Sequence, residues 1–464
     1  MEKKFFHHAL RILKDVCIGC SHCMRVCPTE ALRVFDGKAE LIEDRCIDCG
    51  ECFRVCPVHA IIIEQDDFSK IFDYKHRVAL VPSVLMGQFP DEISDSEIYS
   101  VLQDVGFTWV YEVEHGASIL QRTQLDYAKD EIANKPVISS FCPAIVRLIQ
   151  VKFPSLVDNI MLLRPPLDIS AIYCRKVLMD EGAKEEEIGI FYVTPCAAKI
   201  AAVKAPVGEG HSRINGVINM DFIYNRIYKG IKHKNKEKVV LPKQGHLNSV
   251  EIQWSLTNGE ANHAKGRSLA IDEVHNVIEF LEKLESDEIA EIDFLELRAC
   301  DESCAGGVLT TANRFLTVER LRNRAKRAGA KAMDEVSESS KVIADYEDYL
   351  KRHIRLSVEI KPRSMYKLDE DMAKAMRKMQ RARKVMCYLP GIDCGLCGAP
   401  SCQALAEDIV QKKGSISQCV FVQKMMEKTK TLDTDHAFRI MERVWGQDKF
   451  IKNCKKKGAD HESF

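Results

Sequence analysis

The stretch Arg298-Ala299-Cys300-Asp301-Glu302-Ser303-Cys304-Ala305-Gly306-Gly307 sets two cysteines four positions apart and follows them with a glycine pair. Two other stretches, far away in the sequence, join a cysteine to a proline: Ser139-Ser140-Phe141-Cys142-Pro143 and Thr194-Pro195-Cys196-Ala197-Ala198-Lys199. Proline and glycine interrupt helices and strands, and metal ligands commonly lie in the resulting loops. Four thiolates that converge from one domain can hold one iron–sulfur cubane. We therefore expect one cluster site formed by Cys142, Cys196, Cys300 and Cys304.

A predicted strand leads into each of these loops. The apolar runs Pro136–Ser140, Ile188–Val193 and Phe294–Leu297 precede the cysteines, and Ala144–Lys152 returns to helical periodicity. A further predicted strand begins at Arg77 and ends at Pro82. Repeated strand, ligand loop and helix indicate an α/β domain whose ligands lie at the carboxyl ends of strands, where such sheets bind cofactors.

A different cysteine pattern occurs twice near the start of the chain. The run C-x2-C-x2-C-x3-C-P begins at Cys17 and again at Cys46. It is the run of bacterial two-cluster ferredoxins, in which each fourth cysteine serves the other cluster. The predicted ligands are Cys17, Cys20, Cys23 and Cys56 for one 4Fe-4S cluster and Cys46, Cys49, Cys52 and Cys27 for the other. Zinc also binds four cysteines, but two interleaved repeats with both prolines favour iron–sulfur clusters and one-electron transfer.

The composition limits the classes of function. A length of 464 residues gives a prior of about three domains, and a formal net charge of -1 argues against a nucleic-acid-binding protein. No run of about 18 apolar residues occurs, and we see no secretory signal, so we expect no membrane span. Most of the 19 cysteines lie in Cys-x2-Cys clusters and are expected to bind metal rather than form disulfides. We expect a reducing, oxygen-poor cytoplasm.

The region before the C-terminus holds a third cysteine cluster. Cys394, Cys397 and Cys402 follow one another closely, and the residues alone leave Cys387 and Cys419 as competitors for the fourth ligand position. The spacing L-P-G-x-x-C-G-x-C-G-x-x-x-C, from Leu389 to Cys402, is similar to the small 4Fe-4S domain of corrinoid iron–sulfur proteins. That resemblance implies the ligands Cys394, Cys397, Cys402 and Cys419. The basic helix Met372–Lys384 before this cluster is interpreted as a solvated face.

The three cysteine loops, taken together, resemble the H-cluster signatures of the iron-only (FeFe) hydrogenases, over roughly Val78 to Ile360. The resemblance implies that Cys142, Cys196, Cys300 and Cys304 hold a 4Fe-4S cubane and that Cys304 bridges it to a diiron subsite with CO and CN ligands. It also implies that Lys199 bonds a cyanide ligand. The segment Val81-Pro82-Ser83-Val84 is similar to the family's A-P-x-V segment, which implies that Pro82 and Ser83 line the pocket. The implied activity is reversible oxidation of H2 to protons, with electrons relayed through the 4Fe-4S clusters.

Several residues depart from the family's pattern. Phe141 occupies the position of a proton-relaying cysteine, and two relay glutamates align loosely with His115 and Ser118. Thr194 and Arg298 replace two methionines beside the diiron unit. Proton transfer by a positioned group is worth about a hundredfold or more, so these losses predict slow turnover. A cation at position 298 would stabilise reduced forms of a negatively charged cluster.

Such replacements are typical of sensory members of the family, which report hydrogen or redox state to a separate protein. We expect a redox or signalling partner, for which a ferredoxin, a kinase or a phosphatase are the candidates. Two alternatives stay open: an iron–sulfur assembly protein whose cysteine quartet holds only a cubane, and a pure electron-transfer scaffold. Lys199 argues against both, because a lysine at this spacing has no evident task without a cyanide ligand.

The predicted fold is an α/β hydrogenase catalytic domain with an N-terminal ferredoxin-like α+β domain and a small helical C-terminal iron–sulfur domain. The polar stretch Glu64–Lys70 is the predicted linker after the first domain. The predicted boundaries are 1–66 for the two-cluster ferredoxin domain, 67–365 for the H-cluster domain, 366–384 for a helical linker, 385–430 for the 4Fe-4S domain and 431–464 for a tail.

Overall fold

The computed structural model describes residues 7–127, 134–233, 245–331, 345–363, 365, 368–369 and 371–450. The chain forms two compact units that interleave along the sequence. The first unit contains residues 1–10, 47–50 and 63–364, and the second contains residues 11–46, 51–62 and 365–464. The domain boundaries proposed from the sequence remain predictions. None of the described helices is both long and apolar enough to cross a membrane.

The strands and helices are numbered here in chain order. The strands are β1 (Leu10–Ile12), β2 (Leu32–Phe35), β3 (Lys38–Leu41), β4 (Ile61–Ile63), β5 (His76–Val81), β6 (Trp109–Glu112), β7 (Val137–Ile138), β8 (Ile188–Thr194), β9 (Gly216–Asn219), β10 (Ser268–Ile271) and β11 (Phe294–Leu297). The helices are α1 (His22–Arg25), α2 (Glu51–Arg54), α3 (Ser83–Gly87), α4 (Asp95–Asp104), α5 (Ala117–Tyr127), α6 (Pro143–Lys152), α7 (Pro166–Asp180), α8 (Ala197–Lys204), α9 (Met220–His233), α10 (Ser249–Gln253), α11 (Val274–Glu285), α12 (Arg314–Lys331), α13 (Glu347–His353), α14 (Met372–Met386), α15 (Cys402–Val410), α16 (Val420–Lys428) and α17 (Thr434–Trp445).

Two parallel sheets organise the first unit. One has the strand order β6-β5-β8-β9 and the other the order β10-β11-β7. In the first of these sheets Val78 lies opposite both Trp109 and Ile190. Every residue of β8 is buried, which is the expected state of a parallel strand covered on both faces. The predicted α/β arrangement is confirmed.

The predicted cysteine loops follow the carboxyl ends of β7, β8 and β11. Strand β5 ends at Val81, directly before Pro82. Cys142 and Cys196 are the N-cap residues of α6 and α8. Pro143 takes the first helical position of α6, where a backbone N–H would have no partner within the helix, so proline is tolerated there. Parallel strands of one sheet end at one edge, so the first sheet brings the ends of β5 and β8 together and the second sheet those of β7 and β11.

The polar stretch Glu64–Lys70 is held against the first unit. Both carboxylate oxygens of Asp66 accept hydrogen bonds from Lys204 Nζ at 2.6 Å, and one of them also accepts the Val217 N–H at 2.9 Å. The Asp67 side chain caps the short 3-10 helix Phe68–Asp73. This stretch is therefore an ordered part of the first unit rather than a free linker.

The second unit combines the ferredoxin-like hairpin with the C-terminal helices. Strands β2 and β3 pair antiparallel, with Leu32 opposite Leu41. The Val34 N–H donates to the Gly398 carbonyl at 2.8 Å. Gly398 has φ +82°, and a Cβ there would lie 2.3 Å from the Val34 carbonyl oxygen, so glycine permits this close approach. The predicted ferredoxin-like α+β and helical C-terminal parts are thus both present.

Candidate functional site

The Lys199 ammonium lies beside one of the predicted cluster cysteines. Its Nζ is 3.6 Å from Cys304 Sγ, and the side chain is buried. The rings of Phe141 and Tyr192 have their centroids 4.7 Å and 5.8 Å from this nitrogen, within the range of cation–π attraction. Burial lowers the pKa of Lys199, but the negative charge that Cys304, Tyr192 and Cys196 can carry outweighs it, and the pKa lies well above its usual value. Lys199 is therefore a buried cation at neutral pH.

Three of the four predicted ligands, Cys142, Cys196 and Cys304, lie in the neighbourhood of this lysine. Burial raises the pKa of Cys196 to about 12; Lys199 opposes this shift, whereas the adjacent Cys304 and Cys142 reinforce it. These three sulfur atoms therefore lie near one another. A metal cluster would relieve their mutual repulsion, because coordination deprotonates thiols and neutralises their charge. Cys300 lies four residues before Cys304, and its carbonyl accepts the Ser303 N–H at 3.0 Å.

The glycine pair after Cys304 allows the ligand turn to approach other backbone segments. A Cβ on Gly306 would lie 1.9 Å from the Asp301 carbonyl oxygen, and one on Gly307 would lie 2.5 Å from that of Pro195. Any larger residue would push the Cys304 turn away from the loop that carries Cys196. The two glycines are thus explained by close backbone contact.

A cavity of about 90 Å³ adjoins the lysine. Pro82, Phe141 and Tyr192 form part of its apolar lining, and Lys199 and Asp168 are among its charged lining residues. The donor set of four thiols, the buried cation and the adjacent cavity fit a cubane with an anionic subsite attached. The residues present are therefore compatible with an H-cluster.

Ser83 is not among the residues that line this cavity, although Pro82 is. Its hydroxyl lies 3.2 Å from the Ile252 carbonyl oxygen and 3.1 Å from the Ser255 hydroxyl, and its N–H donates to Glu114 at 2.8 Å. The Ser255 carbonyl in turn accepts the Cys304 N–H at 3.2 Å. Ser83 therefore supports the ligand turn from behind the wall of the cavity.

Arg298 is neutralised by two carboxylates that the sequence analysis missed. Its guanidinium is 2.7 Å from Glu260 Oε2 and 3.5 Å from Glu296 Oε1, and all three side chains are buried. Burial lowers the pKa of Arg298, but Glu260 and Glu296 raise it by more than burial lowers it, so the net shift is upward. The guanidinium carbon also lies 3.8 Å from the centroid of the Phe141 ring. The one signal for Glu296 in the sequence is its position inside an apolar strand.

His115 and Ser118, the two positions aligned with relay glutamates, both lie beside the carboxylate of Glu251. Ser118 Oγ is 2.5 Å from Glu251 Oε1, and His115 Nδ1 is 4.0 Å from Glu251 Oε2. Burial lowers the pKa of His115 to about 4 and raises that of Glu251 to about 7. At neutral pH the histidine is therefore uncharged, and it lies in the core rather than on the surface.

In the second unit, one predicted cluster site of the ferredoxin-like region is well defined. Cys17, Cys20, Cys23 and Cys56 line one small cavity. The Ala39 and Ala60 N–H groups donate to the sulfur atoms of Cys17 and Cys56 at 3.3 Å and 3.2 Å. Burial raises the pKa of Cys23 to about 12, and Cys20, Cys17 and Cys56 add to this effect. Of the other four predicted ligands, Cys27, Cys46 and Cys52 belong to the second unit and Cys49 to the first.

The structure also distinguishes Cys419 from Cys387, the two candidates for the fourth ligand in the C-terminal region. Cys394, Cys397, Cys402 and Cys419 line one cavity. Cys387 is exposed, and its Sγ lies 3.5 Å from the Arg383 carbonyl oxygen. Outside these clusters, Cys174 is fully buried, and Cys454 lies outside the described residues. The geometry therefore groups the four cysteines that the family spacing implied.

Three family models match separate parts of the chain. Residues 75–221 match the C-terminal domain of the iron only hydrogenase large subunit. Residues 9–58 match the 4Fe-4S dicluster domain, and residues 389–421 match a model for an Fe-S cluster region. These matches cover the three regions in which the cysteine clusters lie.

Among individual proteins, the chain is similar to the NADP-reducing hydrogenase subunit HndD of Solidesulfovibrio fructosivorans. The two are 22% identical over 245 residues, a match that covers 50% of this chain and 38% of that protein. A variant of the [FeFe]-hydrogenase from Chlamydomonas reinhardtii has a TM-score of 0.46 at 14% identity, covering 62% of this chain and 94% of that one. A solved structure on oxygen inactivation of [FeFe]-hydrogenase has a TM-score of 0.45 at 13% identity, covering 61% and 94%.

The family matches agree with the cysteine motifs and with the parallel-sheet core described above. A 4Fe-4S dicluster region precedes the hydrogenase domain, and a further Fe-S region follows it. The chain is accordingly an FeFe hydrogenase-like large subunit.

Proposed function

We propose that the chain carries an H-cluster and catalyses slow, reversible oxidation of H2 in the service of hydrogen or redox sensing. In this proposal Cys142, Cys196, Cys300 and Cys304 ligate the cubane, and Cys304 also binds the diiron subsite with its CO and CN ligands. The relatives named above are hydrogenases, and the site described here has the donors such a cluster needs.

The observation that carries the proposal is the environment of Lys199. Its ammonium is buried at the wall of the cavity, and within the described part of the chain no carboxylate lies within ion-pair distance of it. Cys304 Sγ, 3.6 Å away, can compensate part of this buried charge, and a buried charge that is not fully compensated is destabilising. An anionic, cyanide-bearing subsite beside Cys304 would complete the compensation on the side of the cavity. With a cubane alone, as in the alternative of a cluster-assembly protein, the contact with Cys304 Sγ would remain, and no anionic ligand would meet the ammonium inside the cavity.

The bound cluster supplies the redox chemistry, and the residues of the chain control its surroundings. Lys199 would hold the anionic ligand in position, and Pro82, Phe141 and Tyr192 would keep water away from it. Glu260 and Glu296 compensate the charge of Arg298, so Arg298 adds little net positive charge to the site. Its role is to hold the Phe141 ring in place.

Slow turnover is proposed because the ring of Phe141 cannot carry a proton. The Lys199 ammonium nitrogen and the Arg298 guanidinium carbon lie 4.7 Å and 3.8 Å from the centroid of this ring, and the family resemblance assigns position 141 to a proton-relaying cysteine. Electrons would pass one at a time through the clusters on Cys17, Cys20, Cys23 and Cys56, on Cys46, Cys49, Cys52 and Cys27, and on Cys394, Cys397, Cys402 and Cys419. We place the protein in a reducing, anaerobic cytoplasm, with a ferredoxin, kinase or phosphatase as its partner.

Infrared spectroscopy tests this proposal. The protein is matured with a synthetic diiron precursor and recorded under H2 and then under argon. Sharp CO and CN stretching bands that change with the gas are expected. If no such bands are found and the iron content is accounted for by cubanes alone, the hydrogenase proposal is wrong and an electron-transfer or assembly function replaces it.

A further inference from the structure

The helix α14 of the second unit carries charges of one sign only. Residues 372–392 contain six lysines and arginines and no aspartate or glutamate, although the whole chain has a net charge of only -1. Lys378 turns inward, where its Nζ lies 2.9 Å from an Asp369 carboxylate oxygen. The cations of α14 therefore have no acidic neighbour within the helix itself.

Four of these cations form an exposed stripe along one side of α14. Lys374, Arg377, Arg381 and Lys384 recur at intervals of three or four residues, and all are exposed. This spacing places them on one face of a helix. Arg377, Arg381 and Lys384 form no ion pair with any residue that the structure describes. We call these four residues the basic stripe.

The C-terminal turns of α14 pack along a side of the helix that adjoins the basic stripe. Ala382 is buried, and Val385 and Met386 pack with it against the core of the C-terminal helices, which includes Leu405. Packing of α14 on α15 therefore fixes the orientation of the stripe. A solvated face needs no such alignment of like charges, which repel one another at these spacings.

The basic stripe leads directly to the loop that holds the C-terminal cysteines. The Cys387 and Tyr388 N–H groups donate to the Lys384 and Val385 carbonyls, so the helix continues in a 3-10 turn. Three large apolar side chains stand exposed on this turn and the loop beyond it: Tyr388 (68%), Ile392 (58%) and Leu396 (47%). Ile392 and Leu396 flank Cys394 within two residues on each side. We call these three residues the apolar rim.

We propose that the basic stripe and the apolar rim together form the docking surface for a small acidic electron-transfer protein, which exchanges electrons with the cluster on Cys394, Cys397, Cys402 and Cys419. The proposal rests on the proposed function, because oxidation of each H2 gives two protons and two electrons. Two successive one-electron reductions of the docked carrier would remove those electrons. The interpretation of α14 as only a solvated face is thereby replaced.

Charge complementarity and the position of the rim both select this kind of partner. Complexes of electron carriers are small and are steered by opposite charges, with apolar contacts where the two redox centres approach each other. A basic helix with exposed methionines would also suit an anionic membrane surface. A membrane, however, gives no reason for apolar side chains to surround the ligand loop of a redox cluster.

The test measures binding of oxidised flavodoxin, a small acidic FMN protein, to the reconstituted full-length protein by isothermal titration calorimetry at several ionic strengths. The test variant combines Arg381→Glu with Lys384→Glu. The matched control combines Lys229→Glu with Lys326→Glu, which changes the net charge equally at exposed cations of the first unit. Iron content and circular dichroism establish that each variant is folded and loaded with clusters.

We expect binding to weaken as salt is raised, the test variant to raise Kd by about tenfold or more at low salt, and the control to change Kd by less than about threefold. A second variant, Tyr388→Ser, is expected to weaken binding without reducing its salt dependence. Equal effects of the test and control variants, or no binding of flavodoxin, would overturn the proposal. So would binding of the wild-type protein to phosphatidylserine vesicles that the test variant loses, because the stripe would then serve a membrane.

This measurement uses oxidised proteins without H2 and does not need the diiron subsite. Failure of flavodoxin binding with intact CO and CN bands would therefore refute the docking surface alone. Binding as predicted in a protein without those bands would refute the proposed hydrogenase function and leave an electron port for another reaction.

Discussion

Asp48 and Arg147 form a fully buried ion pair in the first unit, with Asp48 Oδ2 2.6 Å from Arg147 Nη1. Asp48 lies between Cys46 and Cys49 of the second ferredoxin-like motif, and Arg147 lies on α6, the helix that begins after Cys142. The same carboxylate is 2.8 Å from His8 Nδ1. This contact joins residues 47–50 of a cluster motif to a helix of the hydrogenase domain.

Removal of one partner of this pair is expected to be costly. Arg147→Ala leaves the Asp48 charge buried, which typically destabilises a protein by about 3–5 kcal/mol. Urea unfolding of the apoprotein would measure the difference. Lys152→Ala on the same helix removes a pair with the largely exposed Glu282 and is expected to cost less than about 1 kcal/mol. Similar losses in the two variants would show that the buried pair has no special role in stability.

Lys199 is expected to matter for the diiron subsite and not for the cubane. Lys199→Met removes the cation beside Cys304 but keeps a side chain of similar length that can fill the space. After maturation, this variant should keep the iron of its 4Fe-4S clusters and lose most of its CN band intensity. Lys204→Met, at the end of the same helix, serves as the control because Lys204 pairs with Asp66 instead. Unchanged CN bands in Lys199→Met would contradict the assigned role.

Asp168 predicts a pH dependence of stability. Burial raises the pKa of Asp168 to about 7, and Glu209 adds to the shift. The folded state therefore holds a proton that the unfolded state releases near pH 4, so this group's contribution to stability is lost as pH rises from about 4 to about 7. Asp168→Asn should remove that loss.

Thermal unfolding at pH 5.5 and pH 8 checks this sign. The gain in stability of Asp168→Asn over the wild type is expected to be larger at pH 8 than at pH 5.5. Asp180→Asn, at the exposed end of the same helix, should shift stability by a similar amount at both values. A variant effect that is the same at both pH values would show that Asp168 ionises freely in the folded protein.

The C-terminal cysteines give a further prediction. Cys419→Ser should lose the iron of one 4Fe-4S cluster, because Cys419 is buried and lines the cavity shared with Cys394, Cys397 and Cys402. Cys387→Ser should keep all of its iron, because Cys387 is exposed outside that cavity. Iron analysis after anaerobic reconstitution distinguishes the two. The reverse result would make Cys387 the fourth ligand.

The sequence by itself was sufficient for the features that depend on local chemistry. Strand, ligand loop and helix follow one another around Cys142 and Cys196 because apolar runs, Pro143 and Pro195 act on their nearest neighbours in the chain. The ferredoxin-like repeats and the position of Lys199, one turn after Cys196, are likewise set by short spacings. Such local patterns can be recognised without knowing which distant segments contact each other.

Only the tertiary structure decided which charges neutralise one another. Arg298 and Glu260 are 38 residues apart in sequence, and Arg147 and Asp48 are 99 apart. A buried cation requires a nearby anion, but no local pattern specifies which one, because the partner depends on which distant segments the tertiary fold brings together. The joining of Val34 to Gly398 has the same origin: backbone hydrogen-bonding groups are identical at every residue, so packing alone selects the pair.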